Sequence, residues 1–158
     1  MPLIAICWAL LAAVMGQQTA PSAIVPTPNP IRNIGATQPA LNYDFFKTRV
    51  QPIFLAKRPG HARCVSCHGG SQAAVLILQP LSPGATTWTD DQSRKNFEAA
   101  KLVVIPGSLQ SPLLTHPLAE EAGGDFFHSG GKHFNSQNDP EWQTLKAWVM
   151  GQTLNSGN

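Results

Sequence analysis

The chain has 158 residues and a formal charge of +2; 13% of its residues are charged, 42% are hydrophobic, and 13 are glycine and 14 proline. That is one domain's worth of core plus a low-complexity stretch: the Gly and Pro content excludes a coiled coil or helical bundle, and the hydrophobic content excludes wholesale disorder. So small a net charge also excludes a dedicated nucleic-acid binder. The charges are unevenly placed, with six basic residues against Asp44 alone between residues 32 and 63, and eight acids against four bases between residues 90 and 141. Such a dipolar surface orients encounters with a charged partner, or simply solvates the fold.

Residues 3–15 form an uninterrupted apolar run, followed by Gly16 and two glutamines. A run of this length suits the apolar region of a signal peptide and falls short of the roughly 20 residues that span a bilayer. Residues 1–16 are therefore expected to direct export, with an uncleaved anchor as the second choice; no Lys or Arg precedes the run, and the bulky Ile6 argues against lipidation at Cys7. Residues 17–42 carry five prolines and one charge without hydrophobic periodicity. This stretch reads as a Pro-rich linker reaching on the order of 80 Å, a tether if the N-terminus stays in the membrane. The domain is expected over residues 43–158. An exported protein of this kind lies in the periplasm or on the outer face of the cytoplasmic membrane.

With Cys7 set aside, the remaining cysteines stand in Cys64-Val65-Ser66-Cys67-His68, the C-x-x-C-H pattern of covalent haem attachment. Two intervening residues let both sulfurs form thioethers with one haem, and the following histidine is placed as the proximal iron ligand. Lys57, Arg58 and Arg63 precede the motif, suited to haem propionates or to a partner. A thioredoxin-like redox pair would need a strand-to-helix setting. A structural zinc would need a fourth ligand beyond Cys64, Cys67 and His68, and a disulfide across so short a loop stabilises little.

Three helices are expected around this motif. Asn42 caps the first, in which Tyr43, Phe46, Val50 and Ile53 share one face, with Pro52 imposing a kink or break. Thr89 caps a second over residues 90–101, with Phe97 turned inward. Asp139 and Pro140 open a third, with Trp142, Leu145 and Val149 on one side and Gly151 at its end. The chain resembles monohaem c-type cytochromes, in particular the cytochrome-c-like domains abundant in planctomycete and acidobacterial proteins. The resemblance is carried by Val50-Gln51-Pro52-Ile53-Phe54 ahead of Cys64-Val65-Ser66-Cys67-His68-Gly69, then Pro106-Gly107-Ser108, Ser111-Pro112-Leu113-Leu114, His128-Ser129-Gly130-Gly131 and Trp148-Val149. It implies an all-α domain with about three main helices and long irregular loops around one covalently attached haem c, used for electron transfer.

The sixth ligand is the open choice. Met150 ends the last helix off its apolar face and reads as packing or surface, and His61 is too near the motif to reach the distal side with ease. His128 stands before two glycines that let the backbone approach a flat ring, and it matches the H-x-G-G element of similar domains. It is the expected distal ligand. His133 is the runner-up, and His116, before Pro117, reads as a loop or pocket residue. Phe126, Phe127, Phe134 and Trp142 are candidates for packing on the porphyrin, or for ordinary core.

Two axial histidines imply low-spin iron at a lower potential than His/Met ligation, hence an electron carrier between a donor and an acceptor redox protein rather than an enzyme. A haem subunit of a membrane redox complex, such as a photosynthetic reaction centre or terminal oxidase, is a second arrangement. A peroxidase-like enzyme or gas sensor with a labile distal ligand is a third, and would use His133 with Asp125 or Glu121.

Overall fold

The computed structural model describes residues 37–70 and 75–156. The expected export segment and residues 17–36 of the expected linker lie outside the described residues, as do residues 71–74, shortly after the motif, and 157–158. The compact unit runs from Thr37 to Asn158, so residues 37–42, expected as linker, belong with the domain. The reason is packing: Leu41 lies against the core, and Trp148 Nε1 donates to Asn42 O across the fold at 2.9 Å.

Among the described residues the secondary structure is helical, with two isolated parallel bridges and no extended strand. The first helical stretch comprises α1 (Tyr43–Phe45), a π-helical turn (Phe46–Val50) and α2 (Gln51–Leu55). Asn42 Oδ1 accepts from Phe45 N at 2.8 Å, which is the expected cap. Pro52 brings no N–H, and its ring would crowd the carbonyl four residues back. The chain responds by widening the preceding turn, with Gln51 N donating to Phe46 O five residues earlier, so the expected kink or break takes the form of a π-bulge and the stretch continues.

The motif itself forms α3 (Cys64–His68), and α4 (Asp90–Lys101) follows. Thr89 and Gln92 form a reciprocal capping box at the start of α4, in which Thr89 Oγ1 accepts from Gln92 N and Gln92 Oε1 from Thr89 N. Next come α5 (Pro112–Thr115), a 3₁₀ turn (Glu120–Ala122) and α6 (Pro140–Val149). Asp139 Oδ1 accepts from Glu141 N and Trp142 N at the head of α6.

The three longer helical stretches meet in an aromatic cluster. The Phe46 ring lies 5.1 Å from Trp148 and 5.4 Å from Phe97, and Tyr43 meets Phe97 edge-on at 5.4 Å. Such tilted and edge-to-face pairs add to the burial each ring supplies. Polar side chains between helices are paired in part: Gln51 Nε2 donates to Ser93 Oγ and Gln79 N to Asn96 Oδ1. The Pro106-Gly107-Ser108 turn docks on the end of α6 through Gly107 N to Val149 O at 2.8 Å, with φ +78° at Gly107. Ser111 Oγ, fully buried, accepts from Ile105 N and so closes the loop ahead of α5.

Asp90 ties the first helical stretch to the head of α4. Its carboxylate receives Lys47 Nζ at 2.6 Å, the Tyr43 hydroxyl at 2.9 Å and Arg94 Nε at 3.1 Å. The Lys47 hydrogen bond, followed by that of Tyr43, holds the Asp90 carboxyl down at about 2, below the ordinary value of about 3.9. A depressed acid stabilises the fold above the unfolded value and loses that contribution as pH falls through the folded one. Asp90→Asn is therefore expected to flatten the acid limb of the unfolding midpoint between about pH 4 and pH 2. Midpoints of variant and wild type that fall in parallel over that window would rule this contribution out.

Candidate haem-binding site

α2, α3, α5 and α6, with the loops between them, enclose a cavity of about 560 Å³, inside the range of about 300–1,000 Å³ usual for cofactor and small-molecule sites. Its walls are apolar where the helices face it, with Ile53, Phe54, Leu113 and Leu145 among the lining residues, and it holds Cys64, Cys67 and His68 from the motif. From the opposite loops come His116, His128 and His133. Among the described residues no Asp or Glu lines it.

His68, at the end of α3, is fixed from outside the motif. Its Nδ1 donates to Leu76 O at 2.8 Å, and the parallel bridge between Gly69 and Leu78 holds that segment in place through Leu78 N to His68 O at 2.7 Å. A carbonyl can only accept, so Nδ1 carries the proton and Nε2 of the neutral ring keeps its lone pair. This is the outer hydrogen bond that orients a metal-binding imidazole.

His128 is held in the same way by a loop that closes on itself. Its Nδ1 donates to Gly131 O at 2.7 Å, while Gly131 N donates back to His128 O at 2.9 Å. The glycines are needed here. A Cβ on Gly130 would stand 3.2 Å from His128 Cε1, and Gly131 adopts φ +78°, so a side chain at either position would push the ring or strain the turn. Burial pushes the His128 imidazole below the usual histidine value, more than its hydrogen bond to Gly131 raises it, which keeps Nε2 available as a lone-pair donor.

The centroids of the two rings lie 6.2 Å apart across the site, and their planes are only 14° from parallel. An ion coordinated by two imidazoles at about 2 Å per nitrogen, each nitrogen about 1.1 Å from its ring centre, sets the centroids at most about 6.2 Å apart. The spacing and the two committed Nδ1 atoms fit one metal between His68 and His128. The centroid of His116 lies 6.4 Å from that of His128 with planes 22° apart, close to the spacing of His68, but its side chain is 53% exposed and its Nδ1 is held by the Asp125 carboxylate. His133 is 9% exposed, with its ring 4.9 Å from His61 and 6.0 Å from His128. Burial, then the Arg58 guanidinium, pushes the His133 imidazole down to about 4.

Several expectations need correction. Asp125 pairs with His116 and not with His133, because Asp125 N donates to Thr115 O and so pins the acid beside the end of α5. Phe126 and Phe127 are 82% and 72% exposed and do not line the cavity, since the turn that aims His128 inward leaves its two predecessors outside. Trp142 is core, its Nε1 donating to Leu114 O at 3.1 Å, and Phe134 does line the cavity. His61 reaches the distal loop, with its Nδ1 3.4 Å from where a Cβ on Gly131 would stand. Met150 is exposed and absent from the cavity.

Cys64 and Cys67 are free thiols, not a disulfide. Burial pushes the Cys64 thiol up, against the opposing pull of Arg58, whereas Cys67 is exposed at the cavity. The strand-to-helix setting of a thioredoxin-like pair is absent among the described residues. So is any group of three or more His, Cys, Asp or Glu side chains placed to hold a metal ion. Arg58 was legible only as a charge near the motif; in the fold its guanidinium lies 4.9 Å over the Phe134 ring and is ion-paired with Glu141. One of its nitrogens, Nη1, and His133 Nδ1 are both buried without a partner, each at a cost of about 1–3 kcal/mol unless a ligand supplies it. Among the described residues no helix is long and apolar enough to cross a membrane.

No family model, no curated protein and no solved structure matches the chain.

Proposed function

We propose that this chain is an exported monohaem c-type cytochrome of the type its sequence resembles, an electron carrier working between a donor and an acceptor redox protein outside the cytoplasm. Cys64 and Cys67 would hold the haem covalently, and His68 and His128 would be the ligands of its iron. The observation that supports this best is the pair of near-parallel imidazoles 6.2 Å apart, each with Nδ1 on a backbone carbonyl, beside the two free thiols.

Haem supplies one-electron chemistry at its iron. The chain's residues do the rest. Leu76 O and Gly131 O orient the two rings and leave both Nε2 atoms as ligands. Ile53, Phe54, Leu113 and Leu145 exclude water from the apolar side of the cavity. His128 occupies the position a peroxidase or gas sensor would keep open, and the acid such an enzyme would want beside His133 is bound to His116 instead. Attachment to a larger membrane complex, through the N-terminus or by docking, is compatible with the same chemistry.

The test is maturation in a host that assembles c-type cytochromes. Wild-type protein is expected to keep its colour through denaturing electrophoresis and acid extraction, and the Cys64→Ala, Cys67→Ala double variant to lose all covalent haem. A colourless wild type would sink the haem reading.

A further inference from the structure

Phe126 and Phe127 are the two most exposed large apolar side chains among the described residues. Together they show on the order of 300 Å² of aromatic surface to solvent, the size at which an apolar patch marks an interaction site. The loop that carries them is tied to the body of the fold. Ala119 N donates to Phe134 O at 2.8 Å, Gly124 N to Ala119 O at 2.9 Å and Asp125 N to Thr115 O at 3.0 Å, and a Cβ on Gly124 would stand 1.9 Å from Leu118 O. Aromatic rings presented on a preorganised loop are effective anchors, because little freedom is lost when they dock.

The charge around the pair has one sign. From residue 117 to residue 131 the chain carries Glu120, Glu121 and Asp125 and no Lys or Arg. Glu120 and Glu121 are exposed, and among the described residues neither takes part in an ion pair. Asp125 is held by His116 and by Thr115 Oγ1, and Lys132, the next base along the chain, turns its Nζ onto His116 O and Asp125 O. This loop therefore lacks an apolar cover and cations to meet its acids. Size narrows the choice of occupant further. A permanent dimer buries upward of about 2,000 Å², whereas brief electron-transfer encounters bury less than about 1,200 Å² in all, and a centre of two rings beside two carboxylates suits the second. Phe127 also directly precedes His128, so whatever seats on the pair lies against the loop of the proposed distal ligand.

We propose that Phe126 and Phe127, with Glu120 and Glu121, form the docking surface for a basic redox protein, one that presents lysines or arginines around an apolar hollow. This rests on the haem reading above and deepens it by giving the chemistry of the partner. The rings supply the contact and the carboxylates steer the approach.

The experiment mixes reduced, matured holoprotein with ferric mitochondrial cytochrome c, a strongly basic haem protein, and follows the reaction by stopped flow. One electron passes, taking the iron of this chain from ferrous to ferric and that of the probe from ferric to ferrous, with no bond made or broken. The wild-type rate constant is expected to fall as ionic strength rises from about 0.01 M to 0.15 M. Phe126→Ser with Phe127→Ser lowers it about tenfold at fixed ionic strength and leaves the rate with ferric EDTA, a small oxidant, unchanged. Glu120→Gln with Glu121→Gln flattens the salt dependence and decides the electrostatic half of the proposal by itself. A wild-type rate that rises with salt, or a phenylalanine variant as fast as wild type, would overturn the proposal. So would a wild-type dimer in sedimentation that the phenylalanine variant dissociates, which assigns the patch to a second copy, or binding to phosphatidylglycerol vesicles that the same variant loses, which assigns it to lipid. A shifted absorption spectrum in that variant would place the rings on the porphyrin instead. Wild type without haem overturns the functional reading itself, an outcome visible before any variant is made.

Discussion

His128→Ala holoprotein is expected to change from a fully low-spin to a high-spin ferric spectrum, and to return to low-spin on addition of imidazole. The substitution removes the ring whose centroid lies 6.2 Å from that of His68, and with it the hydrogen bond to Gly131 O, while Cys64, Cys67 and His68 are untouched. Rescue by imidazole follows because the deleted ring leaves a space of its own shape against Gly130, whose lack of a Cβ is what admits the ring in the first place.

Wild-type ferric protein should carry a further signature. Axial imidazoles with planes 14° apart lift the near-degeneracy of the iron orbitals that interact with them, so three resolved g values are expected in the paramagnetic resonance spectrum. Perpendicular rings would give a single large-g feature instead. An unchanged absorption spectrum in His128→Ala, or a large-g feature in the wild type, would rule out this pair of ligands in this orientation.

Trp148→Ala is expected to carry the largest stability loss in the chain. The indole is fully buried, sits 5.1 Å from Phe46 and 5.9 Å from Phe97, and its Nε1 donates to Asn42 O at 2.9 Å. Truncating a buried aromatic to alanine costs about 3–5 kcal/mol, a large share of a domain's total of about 5–15 kcal/mol. For a domain of this size that lowers Tm by on the order of 15 °C. The effect should reach the cavity, because the π-helical turn meets α6 at this cluster, and α2, which continues from that turn, and α6 supply Ile53, Phe54 and Leu145 to its wall. Phe126→Ala provides the contrast: its ring is largely exposed, and the expected change is within about 0.5 kcal/mol. Calorimetry on both variants checks the pair, and a Trp148→Ala loss no larger than that of Phe126→Ala would show that the cluster does not bear the fold's stability.

Much of the fold was legible because its signals are local. The cap at Asn42, the capping box of Thr89 and Gln92, and Asp139 with Pro140 each act within one helical turn, so sequence order alone places the helix starts. The C-x-x-C-H motif is local in the same sense, with two thiols and an imidazole on adjacent turns of one short helix. The all-α class was what the resemblance implied, and the described residues are helical without an extended strand. The π-bulge was not legible, because Pro52 demands relief without specifying whether the chain kinks, breaks or widens a turn, and packing of Phe46 and Val50 made that choice.

The candidate site divides along the same line. By itself the sequence determined the attachment motif, His68 beside it, and a glycine-flanked histidine at 128, all of them properties of a few consecutive residues. Only the tertiary structure decided that the rings of residues 68 and 128, sixty positions apart, lie near-parallel with centroids 6.2 Å apart; that Asp125 serves His116; and that Phe126 and Phe127 face outward. The physical reason is range. Capping and thiol spacing depend on covalent neighbours, whereas the direction in which a loop histidine points depends on which distant carbonyl takes its Nδ1 proton, and that is settled only when the helices have packed.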